Sequence, residues 1–167
     1  MPVDVHAADE QSEHAVEVAR WSRLAGSVLE AEGVTADAEV SLLFVDEATI
    51  AALNERFLGR SGPTDVLAFP IDDEDEPGGR TPDRGTPGPV SAEPEPEPPR
   101  LVGDVVICPA VATRNAADHG VDTDDEVALL VVHGILHLLG MDHEDDEEAE
   151  RMERRERELL ARFHRSA

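Results

Sequence analysis

The sequence predicts an α+β fold: one compact domain spanning residues 1–167, with a small mixed β-sheet packed against several helices. Three observations point there. A length of 167 residues suits a single domain with a real core. Hydrophobic residues make up 40% of the chain, enough to fill that core. Segments of helical and strand periodicity alternate along the chain, with no internal repeat.

The first helix is expected in SEHAVEVARWSRLAGSVLEAEG. There Val18, Trp21, Leu24, Ala25, Val28 and Leu29 recur at helical spacing and Gly33 closes the run. AEVSLLFV (38–45) reads as a strand. Asp46 then caps a second helix, EATIAALNERFLG, which stops at Gly59. TDVLAFP and LVGDVVIC are short β-branched runs, each closed by a proline. PAVATRNAADHG has Pro109 at a helix start and Gly120 at its end. Thr123 and Glu126 form a capping-box pattern that opens the next helix. A last helix, EDDEEAERMERRERELLARFHR, begins with acids and ends with arginines, as the helix dipole favours.

Residues 72–100 stand apart. They hold eight of the chain's twelve prolines and almost no apolar residue, so they cannot bury enough surface to order themselves. Because they join two strand-like runs, they are expected to be an insertion within one domain.

Composition excludes several function classes. Aromatics are only 3% of residues, too few for wide base-stacking platforms. A net charge of −24, with all fourteen cations arginine, argues against general nucleic-acid binding and gives no reason to expect DNA as a partner. Any site for an anionic substrate must be local, built by a metal ion or a few arginines. The lone Cys108 rules out an internal disulfide and fits a reducing compartment. The N-terminus lacks the basic flank and apolar stretch of a signal peptide, and no run reaches the ~18 apolar residues of a membrane span. The expectation is a soluble cytoplasmic protein with no membrane partner.

The chemistry concentrates in VVHGILHLLGMDHEDDEEAE (131–150). His133 and His137 are four residues apart and so share one face of a helix that is apolar almost all round. Burying two imidazoles on one stripe is unfavourable unless something satisfies both. Gly140 ends the helix, and a tight turn can swing His143 back to the same point. Three converging neutral imidazoles suit a tetrahedral zinc with one position open, placing a three-histidine site at the end of a buried central helix. The spacing is that of the metzincin proteases, H-E-x-x-H-x-x-G-x-x-H, with one residue missing: the glutamate general base is replaced by Gly134. A helix-interior glycine disfavours the helix by about 1 kcal/mol against alanine, so Gly134 is expected to make room for a close approach.

HGILHLLGMDH also resembles the H-G-x-L-H-L-x-G-x-D-H signature of the YbeY family, the endoribonucleases of bacterial rRNA maturation. LNERFLGRSGPTDVLAFP and LVGDVVIC resemble two further segments of that family, in the same order. The resemblance implies one Zn²⁺ per chain on His133, His137 and His143, and cleavage of single-stranded RNA. It further implies action at the 3′ end of small-subunit rRNA and in ribosome quality control, with the small subunit or whole ribosome as partner. Two departures stand out. Many relatives carry an arginine where this chain has Leu58, and the insertion is longer than expected.

An open zinc site makes water ionisable near pH 7 and takes up charge on phosphoryl oxygens, a task that arginine often shares. Arg56 and Arg60 are the candidates for that cation, with Arg114 as a further part of a basic patch; solvated helix-end cations are the alternative reading. Asp142 is the candidate to orient a ligand imidazole, or else a cap for the last helix. Asp65 and Asp104 fall near strand ends, where turn roles are as reasonable as catalytic ones. A zinc peptidase and a non-catalytic ribosome assembly factor with a structural metal are the competing functions.

Overall fold

The computed structural model describes residues 3–34, 38–71, 100–141 and 145–165. The elements are β1 (Asp4–Asp9), α1 (Val18–Ala31), β2 (Ala38–Phe44), α2 (Glu47–Leu58), β3 (Val66–Pro70), β4 (Arg100–Ile107), α3 (Pro109–His119), α4 (Thr123–Leu138) and α5 (Asp146–Leu160). A π-helical turn, Ala161–Arg165, follows α5. The strands form one mixed sheet in the order β1-β2-β4-β3. β1, β2 and β4 run parallel, while β3 is antiparallel to β4 at the opposite edge from β1. The α+β expectation is met.

Strand alternation divides the core between the sheet's two faces. Val40, Leu42, Phe44, Val105 and Ile107 face α1 and α4 in the main core. Leu67, Val106 and Cys108 join Val45 and Ile50 in a smaller cluster on the α2 face. Burial pushes the Cys108 thiol pKa up.

Helix ends follow their sequence signals at several points. The Asp46 carboxylate accepts the Thr49 N–H at 2.8 Å, Pro109 opens α3, and Gly59 and Gly120 take the left-handed conformation that closes α2 and α3. The capping box does not form. Asp122 is the N-cap of α4, Thr123 is its first helical residue, and the buried Glu126 instead receives His119 Nδ1 at 3.0 Å. The carboxylate meets a tertiary partner in place of a local one.

Two strand readings change. β1 was not legible as a strand: acids occupy its ends, and only Val5 and Ala7 pack against the core. It holds by pairing with β2 along six residues. Asp104 lies inside β4, opposite Ser41 and Phe69, and not at a strand end.

α4 is the central helix, buried from Val127 to Leu138 except where Leu129, His133 and His137 are partly exposed. Gly134 explains how close it lies to the sheet. A Cβ there would sit 2.6 Å from Val105 Cγ1 and 3.4 Å from Val66 Cγ2. The sequence implied a close approach at this position, and its partners are β4 and β3. Gly140, at φ +98°, closes the helix as Met141 N–H reaches back to Leu136 O at 3.0 Å.

The insertion connects antiparallel neighbours. Pro70 pairs with Gly103, and Ile71 N–H donates to Val102 O at 3.1 Å. Arg100 already belongs to β4, so the insertion ends one residue earlier than its composition suggests; residues 72–99 lie outside the described residues. Replacing 72–99 by a four-residue Gly/Asn turn should keep the fold and raise stability by no more than about 2 kcal/mol, since loop closure depends only weakly on length. Urea denaturation of the two chains checks this, and collapse of the shortened one would show that the insertion is part of the fold.

Candidate active site

His133 and His137 project from one stripe of α4, with ring centroids 4.6 Å apart and planes crossing at 78°. They lie on the floor of a groove of about 720 Å³ walled by β3 and by the segment joining α2 to it. This resolves the cost of two histidines on an apolar helix: the stripe that carries them opens to solvent, and the His133 side chain is 27% exposed. His133 Nδ1 meets Glu156 Oε2 at 2.5 Å. Glu156, from α5, is buried. A carboxylate on Nδ1 places the proton on that nitrogen and the lone pair on Nε2, the tautomer of a metal-ligating imidazole.

Sequence reasoning missed Glu156. It is one of many glutamates in an acid-rich helix, and its only mark is position: it shares the apolar stripe of α5 with Met152 and Leu159. Of the sequence candidates, Arg60 lines the groove. Arg56 is not among the groove residues and holds its guanidinium 5.2 Å from the Phe57 ring. Arg114 is ion-paired with Glu47. Leu58 is exposed on the groove wall. His143 and Asp142 lie outside the described residues.

The groove wall is fixed by two polar anchors. Buried Asn54 donates to Gly62 O at 3.0 Å, holding the segment after α2 in place. Asp65 accepts Asn115 Nδ2 at 3.1 Å through its carboxylate and Cys108 N–H at 2.9 Å through its carbonyl. These bonds tie Asp65 to α3 at the entry to β3, and the residue also lines the groove.

Another group of potential ligands sits at the far edge of the sheet. Asp4, His6 and Glu39 bring ligand atoms within 4.8 Å of one another across β1 and β2. Asp4 and His6 are exposed, and His6–Glu39 at 3.4 Å is an ordinary surface pair.

The family model described as Endoribonuclease YbeY matches residues 6–164. The chain belongs to the YbeY family. A relative from Thermobifida fusca, named Endoribonuclease YbeY, is 46% identical over 147 residues, covering 88% of this chain and 86% of its own. Another of that name, from Mycolicibacterium vanbaalenii, is 43% identical over 152 residues, covering 91% and 73%. A solution structure from Thermotoga maritima matches with a TM-score of 0.57 at 23% identity, covering 97% of this chain and 93% of that one, and supports the fold. The YbeY-like segments come together in space: the end of α2 and β3 form the groove wall, α4 its floor, and β4 packs beneath Gly134. Among the described residues, no helix is long and apolar enough to cross a membrane.

Proposed function

We propose that this protein is a zinc-dependent endoribonuclease that cuts single-stranded RNA, with zinc held by His133, His137 and His143. Membership of the YbeY family supports the RNA-cleaving class. The observation that carries the site is the His133–Glu156 pair beside His137 on the groove floor. Two imidazoles on one face, one of them oriented by a buried carboxylate, fit zinc by donor chemistry, and His143 enters on its spacing. Zinc there would supply Lewis acidity, bringing water's ionisation near neutral pH and drawing charge from phosphoryl oxygens. Arg60 offers a cation to the substrate phosphate from the groove wall. Asp142 is assigned an orienting role for a ligand imidazole. A peptidase reading loses ground because a glutamate at position 134 would run into Val105.

The biological setting follows from the family resemblance and the charge: maturation of the small-subunit rRNA 3′ end and ribosome quality control, in the cytoplasm. At −24, with Arg20 paired to Asp124, Arg114 to Glu47 and Arg155 to Glu32, the chain has few cations to grip RNA. The ribosomal particle then presents the strand. Purified protein should cut a short single-stranded RNA, lose that activity with a chelator, and leave casein intact. Zinc-dependent casein cleavage with RNA untouched would reverse the assignment. Binding to naked RNA should be weak, with a log–log salt slope of only about −0.7 per phosphate for one or two contacts. A steep slope would place the RNA on a surface other than the groove.

A further inference from the structure

A second cavity, about 300 Å³, lies between α4 and α5 and shares Asp65, Val66 and His133 with the groove. Leu129, Leu130 and Met152 give it apolar walls, while Glu126, Glu153 and the His133-paired Glu156 supply carboxylates alongside Asp65, and His119 is among the lining residues. We propose that this cavity is a nucleobase subsite, taking the base beside the scissile phosphate and preferring guanine. The proposal rests on the RNA-cleaving reading of the adjoining groove.

The cavity is at the lower end of the size range of small-ligand sites, and a single base is the part of RNA that fits it. Apolar walls suit the flat faces of a base turned out of a single strand. The polar groups set the preference. Glu126 is 3% exposed, and among the described residues its carboxylate receives one side-chain donor, His119 Nδ1 at 3.0 Å on Oε1. A carboxylate offers about four lone-pair sites, so this buried group retains capacity for donors from a ligand. Guanine presents N1–H and N2–H₂ side by side, a two-pronged match to one carboxylate. Cytosine and adenine offer only an amino group, and uracil a single N–H flanked by two carbonyls that would face negative oxygens. His119, its pKa raised by the Glu126 bond, stands at the edge of the cavity. Because His133 lines both spaces, a phosphate at the histidines sets its own base at the cavity entrance.

The test is titration of guanosine, adenosine, cytidine and uridine into the isotope-labelled protein, followed by NMR at His119 and Ala149. Guanosine should bind tightest and uridine at least about tenfold more weakly, the effect of losing hydrogen bonds to a charged acceptor. Ala149→Leu adds bulk to the half-exposed α5 wall and should abolish binding of all four. Glu126→Gln keeps the volume and should lower guanosine affinity about tenfold. Equal binding of the four nucleosides, no binding of any, or guanosine binding unchanged in both variants would each overturn the subsite. Cleavage of RNAs varied at one nucleotide separates the two proposals. Cutting with no base preference sinks the subsite alone, whereas guanosine binding in the cavity with no RNA cleavage sinks the nuclease reading and, with it, the place of the bound base beside a scissile phosphate.

Discussion

His137→Ala should remove most of the metal, from about one zinc per chain to near zero, and reduce RNA cleavage by at least about a thousandfold. His137 faces His133 across 4.6 Å, so its loss would leave the proposed chelate one of its two helix-borne imidazoles. The fold should persist, because His137 is partly exposed on the groove floor and its removal opens no cavity in the core. Glu156→Gln should act through His133, weakening zinc on the order of tenfold while the ligand count stays the same. His6→Ala is the control, since the Asp4–His6–Glu39 group lies at the opposite edge of the sheet. Elemental analysis and competition with a chromogenic chelator read all three. Full metal content in His137→Ala, or loss in His6→Ala, would move the metal to another site.

Gly134→Glu, which restores the protease-type residue, should prevent folding. The Cβ alone would stand 2.6 Å from Val105 Cγ1, and the carboxylate would be driven toward the sheet without a partner. Gly134→Ala isolates the steric part. Overpacking of about 1–3 kcal/mol is offset by about 1 kcal/mol of helix propensity, leaving a modest net loss. Val105→Ala makes room, so the alanine at 134 should be better tolerated in that background. Circular dichroism and urea melts measure these effects. A stable, folded Gly134→Glu protein would show that α4 does not need its close approach to β3 and β4.

Some features were legible because they depend on near neighbours in the chain. The apolar periodicity of α1 and α4, the Asp46 cap and the glycine stops each follow from chemistry within one or two turns. The His133–His137 spacing marked the site for the same reason: four residues on a helix fix two side chains on one face, whatever surrounds them. The long motif across residues 53–70 and 133–143 marks the family in the sequence itself.

Tertiary structure decided what lies far apart in sequence. Glu156 meets His133 across twenty-three residues because α5 packs on α4, and no local pattern separates it from its acidic neighbours. Arg60 rather than Arg56 lines the groove because the chain leaves α2 at Gly59 and Asn54 ties the following segment down. Glu126 meets His119 and forms no capping box because α4 starts one residue earlier, with Asp122 as its N-cap, and α3 brings that imidazole to the buried carboxylate. β1 exists only through β2, since an edge strand with acids at both ends has too little apolar surface to declare itself. Sequence alone determined the histidine spacing and the fold class, because these rest on short-range periodicity; packing between distant segments chose which charged side chains face the groove.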